Sequence, residues 1–413
     1  MIRIHCSGIH AAAAVFLLGA AAFGQELAGC PMLPKNSIWN TPIENMPVHP
    51  SSAKYIESEG AARNLHPDFS DVGGIPYVVV PANQPMVQIV FNEGVDNSDP
   101  GPYPIPPNVP LEIGSDGHAI VMQQGTCKLY EMLAMKPASN GTWTAYSGAV
   151  FDLRSHALRP DGWTSSDAAG LPILPGLVRY DEILAGEIRH AIRLTVPSTR
   201  REYVWPARHF ASRSDNQAFP PMGQRFRLKA NYDISRFDPK VQVLLRALKK
   251  YGMILSDNGS SWFLTGAPDK RWDQEVWSQI KTIKGADLEA VDVSTLMISP
   301  NSGQAGVLNT IGRQEIPFSA APVFDPQGGT TITMKLTGDV TAATAVNLLD
   351  GIQVAFLICQ DERGARQFNW PSNVSGGMRI GTAARTCSAQ QFVSDGKGLY
   401  ATSPGATDLP LIE

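Results

Sequence analysis

Short apolar stretches rich in valine and isoleucine recur along the chain, each closed off by glycine or proline. Segments of this kind read as β-strands. The clearest are Ile75 to Val80, Met86 to Phe91, His118 to Gln123, Cys127 to Met132, Gly148 to Leu153, Glu187 to Val196, Glu202 to Pro206 and Arg225 to Lys229. Helical spacing is rarer. Val241, Leu244, Leu245 and Leu248 form one apolar stripe, with Asp238 to cap it, Pro239 in its first turn and Gly252 after its end. Trp272, Val276 and Ile280 predict a second helix over 272–283, and residues 52–60 a short one. Met253 to Leu255 and Trp262 to Leu264 flank Asp257-Asn258-Gly259, which predicts a hairpin with the aspartate in its turn.

The pattern changes near Ser299. The stretch SPNSGQAGVLN reads as a linker over 299–314. Beyond it, strands are predicted at Thr330 to Leu336, Ile352 to Gln360, Gln367 to Trp370 and Gln391 to Tyr400. The expected fold class is mainly β. A β-sandwich or jelly-roll core with a few helices and long ordered loops occupies 25–298, and a small C-terminal β-sandwich occupies 315–413. The proline-rich segments 31–50 and 96–110 read as ordered chain crossing one domain.

Composition supports a packed protein. Of 413 residues, 43% are hydrophobic and 17% charged, which suffices for a core and argues against wholesale disorder. The net charge of −4, with no basic block, excludes nucleic-acid binding through phosphate neutralisation. Residues 1–24 read as a secretory signal: Arg3 precedes an apolar run from Ala11 to Phe23 that is too short to span a membrane. No other run is long enough to span, so a secreted, extracellular or periplasmic protein is expected. Leu27-Ala28-Gly29-Cys30 also matches a bacterial lipobox, so a lipid anchor at Cys30 is the alternative. Removing Cys6 with the signal leaves Cys30, Cys127, Cys359 and Cys387, an even count that predicts two disulfides. Three pairings are open. Proximity favours Cys359 with Cys387, leaving Cys30 with Cys127.

From about residue 30 to residue 296 the chain resembles a family of secreted bacterial proteins, often from soil organisms. The motifs are SIWNTPI, LHPDFS, SDPGPYPIP, LRPDGWTSSDAAGLPILPGLVRYDE, GEIRHAIRLTVP, YVWPARHFAS and ALKKYGMILSDNGSSW. Where such relatives carry a basic residue before the first core histidine, this chain has Asp116-Gly117-His118. The C-terminal part is loosely similar to β-domains appended to bacterial surface and phage-tail-like proteins. The resemblance implies export and supplies no catalytic mechanism, so the chemistry is read from residues.

The segment from Ser155 to Phe210 concentrates histidine, tryptophan, arginine and acids between rigid turns. On a strand, Asp116 and His118 would share a face, where a carboxylate orients an imidazole and raises its basicity. His190 would line a cavity beside Ile192 and Leu194. Glu187, with Asp181 or Glu182, would supply paired carboxylates. His209 would act as acid or base beside Arg208. The expected catalytic set is therefore His118, His190, Asp116, Glu187 and His209. The expected substrate-binding set is Arg193, Arg208, Tyr180, Trp163, Trp205 and Asp257, with flat aromatic faces for sugar rings. HExxH, CxxC, GxSxG, Walker and dinucleotide motifs do not occur, so no metal and no cofactor is expected. These readings lead to an exported carbohydrate-active protein that cleaves an extracellular polysaccharide or oligosaccharide as hydrolase or lyase. The alternative is a non-catalytic carbohydrate-binding or cell-surface adhesion protein.

Overall fold

A computed structural model describes residues 26–138, 142–306, 313–326, 330–348 and 350–410. The signal expected over residues 1–24, with Cys6, lies outside these residues. The fold is mainly β, with 32% strand against 13% helix, distributed over several sheets. Buried apolar residues form three clusters among the described residues: two in a larger body before residue 307, the second of them around Tyr103, Val121 and Met132, and one in a smaller body after residue 312.

The larger body is organised on a six-stranded mixed sheet. Its order is Leu288–Val291, Arg225–Leu228, Met253–Asn258, Ile192–Val196, Phe263–Thr265 and His66–Asp68. A four-stranded sheet of Ser147–Asp152, Lys128–Leu133, Ala119–Gln123 and Tyr77–Val80 lies beside it. Both sheets contribute to one core that includes Ile120, Leu129, Leu194, Leu255 and Leu264. The helix Pro239–Lys250 starts as expected, with Asp238 accepting a hydrogen bond from the Lys240 amide. Its buried stripe of Val241, Leu244, Leu245 and Leu248 packs into that core. Gly252 then turns the chain at φ +66°, where a β-carbon would lie 2.2 Å from the Phe226 carbonyl oxygen.

The expected hairpin does not form. Met253–Asn258 and Phe263–Thr265 lie on opposite sides of Ile192–Val196, which pairs with both. Asp257 and Asn258 are therefore in a strand rather than a turn. The long strand expected over 187–196 also shortens to Ile192–Val196, because Tyr180–Ala185 is helical and Gly186 ends that helix at φ 80°. Glu202 to Pro206 makes only an isolated bridge, Tyr203 to Met222. The helix expected over 272–283 is a short α-helix, Gln274–Ser278, followed by a 3₁₀ turn at Gln279–Thr282.

Two buried arginines anchor the irregular N-terminal segment. Arg225 donates to the carbonyls of Tyr251 and Ile38, and Arg227 to those of Ile43, Glu44 and Met46. Side chains thus satisfy backbone oxygens that have no strand partner. Cys30 is bonded to Cys127 and Cys359 to Cys387, the expected pairing. The first bond corrects the lipid-anchor alternative, since the Cys30 sulfur that would carry the lipid is occupied and buried.

The start of the expected linker is part of the larger body. Ser302 bridges Ala157, Gln304 bridges Ser37, and Arg208 binds Pro300 and Asn301. The smaller body has its own core, with Phe324, Ile332, Phe356, Ile358 and Phe392. It holds a seven-stranded sheet and a two-stranded pair. Thr386–Asp395 and Leu399–Ala401 form a hairpin about Gly396, where a single strand was expected from 391 to 400. The described residues contain no helix long and apolar enough to cross a membrane.

Candidate functional site

The three histidines of the expected catalytic set each hold the backbone, with different partners. The strand that follows His118 begins only at Ala119, and Gly117 before it turns at φ 50°. Asp116 is thereby exposed, and its carboxylate accepts from the Ser115 hydroxyl instead of reaching His118. The carboxylate beside His118 is Glu112. Its Oε2 lies 2.5 Å from Nδ1, while Nε2 lies 2.9 Å from the Ser166 carbonyl oxygen. Both ring nitrogens thus face acceptors, which favours the imidazolium. Burial opposes that charge, but the hydrogen bond and charge of Glu112 outweigh it, so the His118 pKa is raised. A histidine held in this way ties residue 112 to the loop at 166 and has no free nitrogen to act as a base.

His190 is fully buried. Nδ1 meets the Ala191 carbonyl oxygen at 2.7 Å and Nε2 meets Glu182 at 3.2 Å. Glu182 also receives a bond from Arg179 at 2.7 Å. Burial raises the Glu182 pKa, yet the charges of Arg179 and His190 leave it lowered overall. This network fixes the helix start, and His190 does not line an open cavity. His209 is half-buried, bonds the Ala168 carbonyl oxygen through Nδ1 and stacks on Phe210. Glu187 is exposed and pairs with Arg189 and Lys250, apart from Asp181, which pairs with Arg271. The expected pairing of carboxylates around Glu187 is therefore absent from the described residues.

The chemistry concentrates instead on one face of the six-stranded sheet. Arg193 and Thr195 share that face, two residues apart. Leu194 pairs with Leu264 and Thr195 with Phe263, so Thr265 lies across from Arg193. Asp68 is in register with Thr265, and His66 with Phe263. On the other side, the ladder to Met253–Asn258 steps from Leu255 to Asp257 while its partner steps only from Leu194 to Thr195. This bulge puts Asp257 in register with Thr195 and hence on the Arg193 face. The face reads His66, Phe263, Thr195 and Asp257 in one row, then Asp68, Thr265 and Arg193 in the next.

Arg193 is the hub. Nε donates to Asp167 Oδ2 at 3.0 Å, Nη2 to Asp167 Oδ1 at 2.8 Å and to Asp257 Oδ2 at 3.2 Å, and Nη1 to Thr265 Oγ1 at 2.9 Å. Burial opposes its charge, but Asp167, Asp257 and Glu112 raise its pKa overall. Asp167 is fully buried, whereas the Asp257 side chain keeps 27% of its surface, so Asp257 is the member that a ligand can reach. Burial and the Asp167 charge push Asp257 up to about 7 against the pull of Arg193. Burial also raises the half-buried Asp68, with Arg193 opposing and Glu112 adding to the shift. Glu131, fully buried behind them, accepts from the Ile173 and Leu174 amides, and burial still pushes it up to about 7. The described residues hold no group of three or more His, Cys, Asp or Glu side chains arranged for a metal ion. A guanidinium occupies the centre of this acidic cluster.

The other expected binding residues lie in different settings. Arg208 is spent on the carbonyls of Arg159 and Pro300 and on Asn301. Trp205 donates to the Ser302 carbonyl oxygen, and Trp163 stacks under Arg159. Tyr180 packs against Trp272 and under Arg271. Arg193 and Asp257 come together, while sequence reasoning missed Asp68, Glu112, Glu131, Asp167 and Thr265. Asp68 and Asp167 do fall inside the quoted motifs LHPDFS and SSDAAG, but no periodicity marks them as neighbours.

An open groove of about 520 Å³ borders the row of His66 and Phe263. Comparison with family models, curated proteins and solved structures finds no match. The chemistry of the site therefore rests on its geometry.

Proposed function

We propose that this is an exported glycoside hydrolase that cleaves an extracellular polysaccharide at the Asp257 edge of the Arg193 cluster. The observation that carries this reading is Asp257 itself, a reachable carboxyl pushed up to about 7 beside a fixed arginine. A carboxyl still half protonated near neutrality can donate to a departing glycosidic oxygen. Asp68 stands three strands from Asp257 and one row along, on the order of 15 Å at the backbone, too far to pair with it, so Asp257 is the single acid of this scheme. In this scheme the glycosidic C–O bond breaks and the Asp257 proton goes to the leaving oxygen. Water forms the new C–O bond and releases its proton to solvent. Arg193 positions Asp257 and does not touch the sugar, since all its nitrogens are already engaged. Hydrolysis is favoured over β-elimination because His118 and His190 offer no free base. Two disulfides and the apolar N-terminal run support a location outside the cytoplasm.

The test is a panel of polysaccharides incubated with the full chain, reading new reducing ends and the ultraviolet absorbance of unsaturated products. Reducing ends without that absorbance are expected. Absorbance would point to a lyase instead. Binding with neither signal would leave a carbohydrate-binding protein, a reading favoured by the saturation of Arg193.

A further inference from the structure

The groove beside His66 and Phe263 is lined by two cations and no acid. It is lined by Arg63, Asn64, His66, Ser260, Phe263 and Lys281 among others. Its volume of about 520 Å³ falls in the range of sites for small ligands or a sugar unit. Arg63 and Lys281 are exposed and make no salt bridge among the described residues, in a chain whose net charge is −4. His66 and Phe263 stack with ring centroids 4.1 Å apart and planes 9° from parallel. His66 Nδ1 is buried with no hydrogen-bond partner among the described residues. Burial lowers the His66 pKa, and the Lys281 charge lowers it further. His66 and Asp68 alternate on one strand and share a face, so the groove opens one row, about 7 Å, from Asp68.

We propose that this groove binds an acidic glycan, with uronate carboxylates held by Arg63 and Lys281 and sugar hydroxyls by Asn64 and Ser260. The claim deepens the hydrolase reading and rests on it. Two cations with no acid partner break no existing ion pair to meet a carboxylate ligand, and a guanidinium grips one with two parallel bonds. The stacked rings give the pyranose a flat apolar wall. A neutral glycan would use the wall and leave both cations idle.

The experiment is calorimetric titration of the full chain with oligogalacturonate and with a neutral cello-oligosaccharide of equal length, at low and high salt. Tighter binding of the uronate, weakened by salt, is expected. Arg63→Ala with Lys281→Ala should weaken it about tenfold, and Arg63→Lys should restore part of the loss. Both residues are exposed, so the unfolding midpoint should stay unchanged. Equal affinity for the neutral oligomer, an unaffected double variant, or no uronate binding would each overturn the groove assignment. Cleavage of a neutral polysaccharide without uronate binding would overturn this claim and leave the hydrolase reading standing. Uronate binding lost in the double variant, without cleavage of any polymer, would do the reverse.

Discussion

Asp257 and Glu131 carry carboxyls that burial holds at about 7, whereas an unfolded chain releases the same protons near 4. Between those values the folded protein keeps protons that the unfolded chain has lost. Their stability contribution is full below about pH 4 and is lost as pH rises toward 7. His118, also raised, acts in the same direction through its own higher range. The lowered histidines His49, His66 and His156 oppose it. Glu131→Gln isolates one group. Urea denaturation of this variant should show a smaller loss of stability from pH 5 to pH 8 than the parent, by on the order of 2 kcal/mol. Equal slopes in the two proteins would remove Glu131 from the account. At this scale the sequence was a partial guide. Arg193 and Asp257 are legible as candidates, but their meeting depends on a bulge that no local pattern encodes. The histidines misled because an imidazole serves a backbone carbonyl as well as it serves a substrate.

Among the elements, the strand Arg225–Leu228 does two jobs. It pairs within the sheet, and its arginines hold the N-terminal segment by its carbonyls. Arg227 also meets Glu289 at 2.8 Å, while Arg225 has no carboxylate partner among the described residues and burial brings it down to about 9. Arg227→Ala leaves three carbonyls and the Glu289 carboxylate without that donor. A loss of roughly 3 kcal/mol or more is expected. Limited proteolysis should then cut near residues 43–46, which the parent protects. Unchanged resistance there would show that the disulfide alone secures the segment. The strands and the helix at 239–250 are readable in the apolar pattern because burial imposes it. The failed hairpin was not, since Asp-Asn-Gly describes a local turn while strand order is set by pairing with a distant segment.

As a whole molecule, the chain has a large body and a smaller one with its own core and disulfide. Calorimetry should resolve two transitions. Replacing Cys359 and Cys387 with serine should lower one of them by several degrees and leave the other in place. A single transition that shifts as a unit would mean the cores are coupled. The Cys30–Cys127 bond closes a longer loop, 97 residues against 28, so reduction should cost the larger body more. The change of pattern near Ser299 reads as a linker, yet residues 300–304 pair with the larger body.

The most direct test of the central claim is the pH–rate profile of the parent and of Asp257→Asn on whichever polysaccharide the parent cleaves. The account predicts that the parent loses rate as pH rises through about 7, where Asp257 gives up its proton. The variant, folded to the same unfolding midpoint, should be slower by about a hundredfold or more below pH 7, with the gap closing at higher pH because its profile lacks the parent's descending limb. An Asp257→Asn protein that cleaves at the parental rate with the same profile would contradict it.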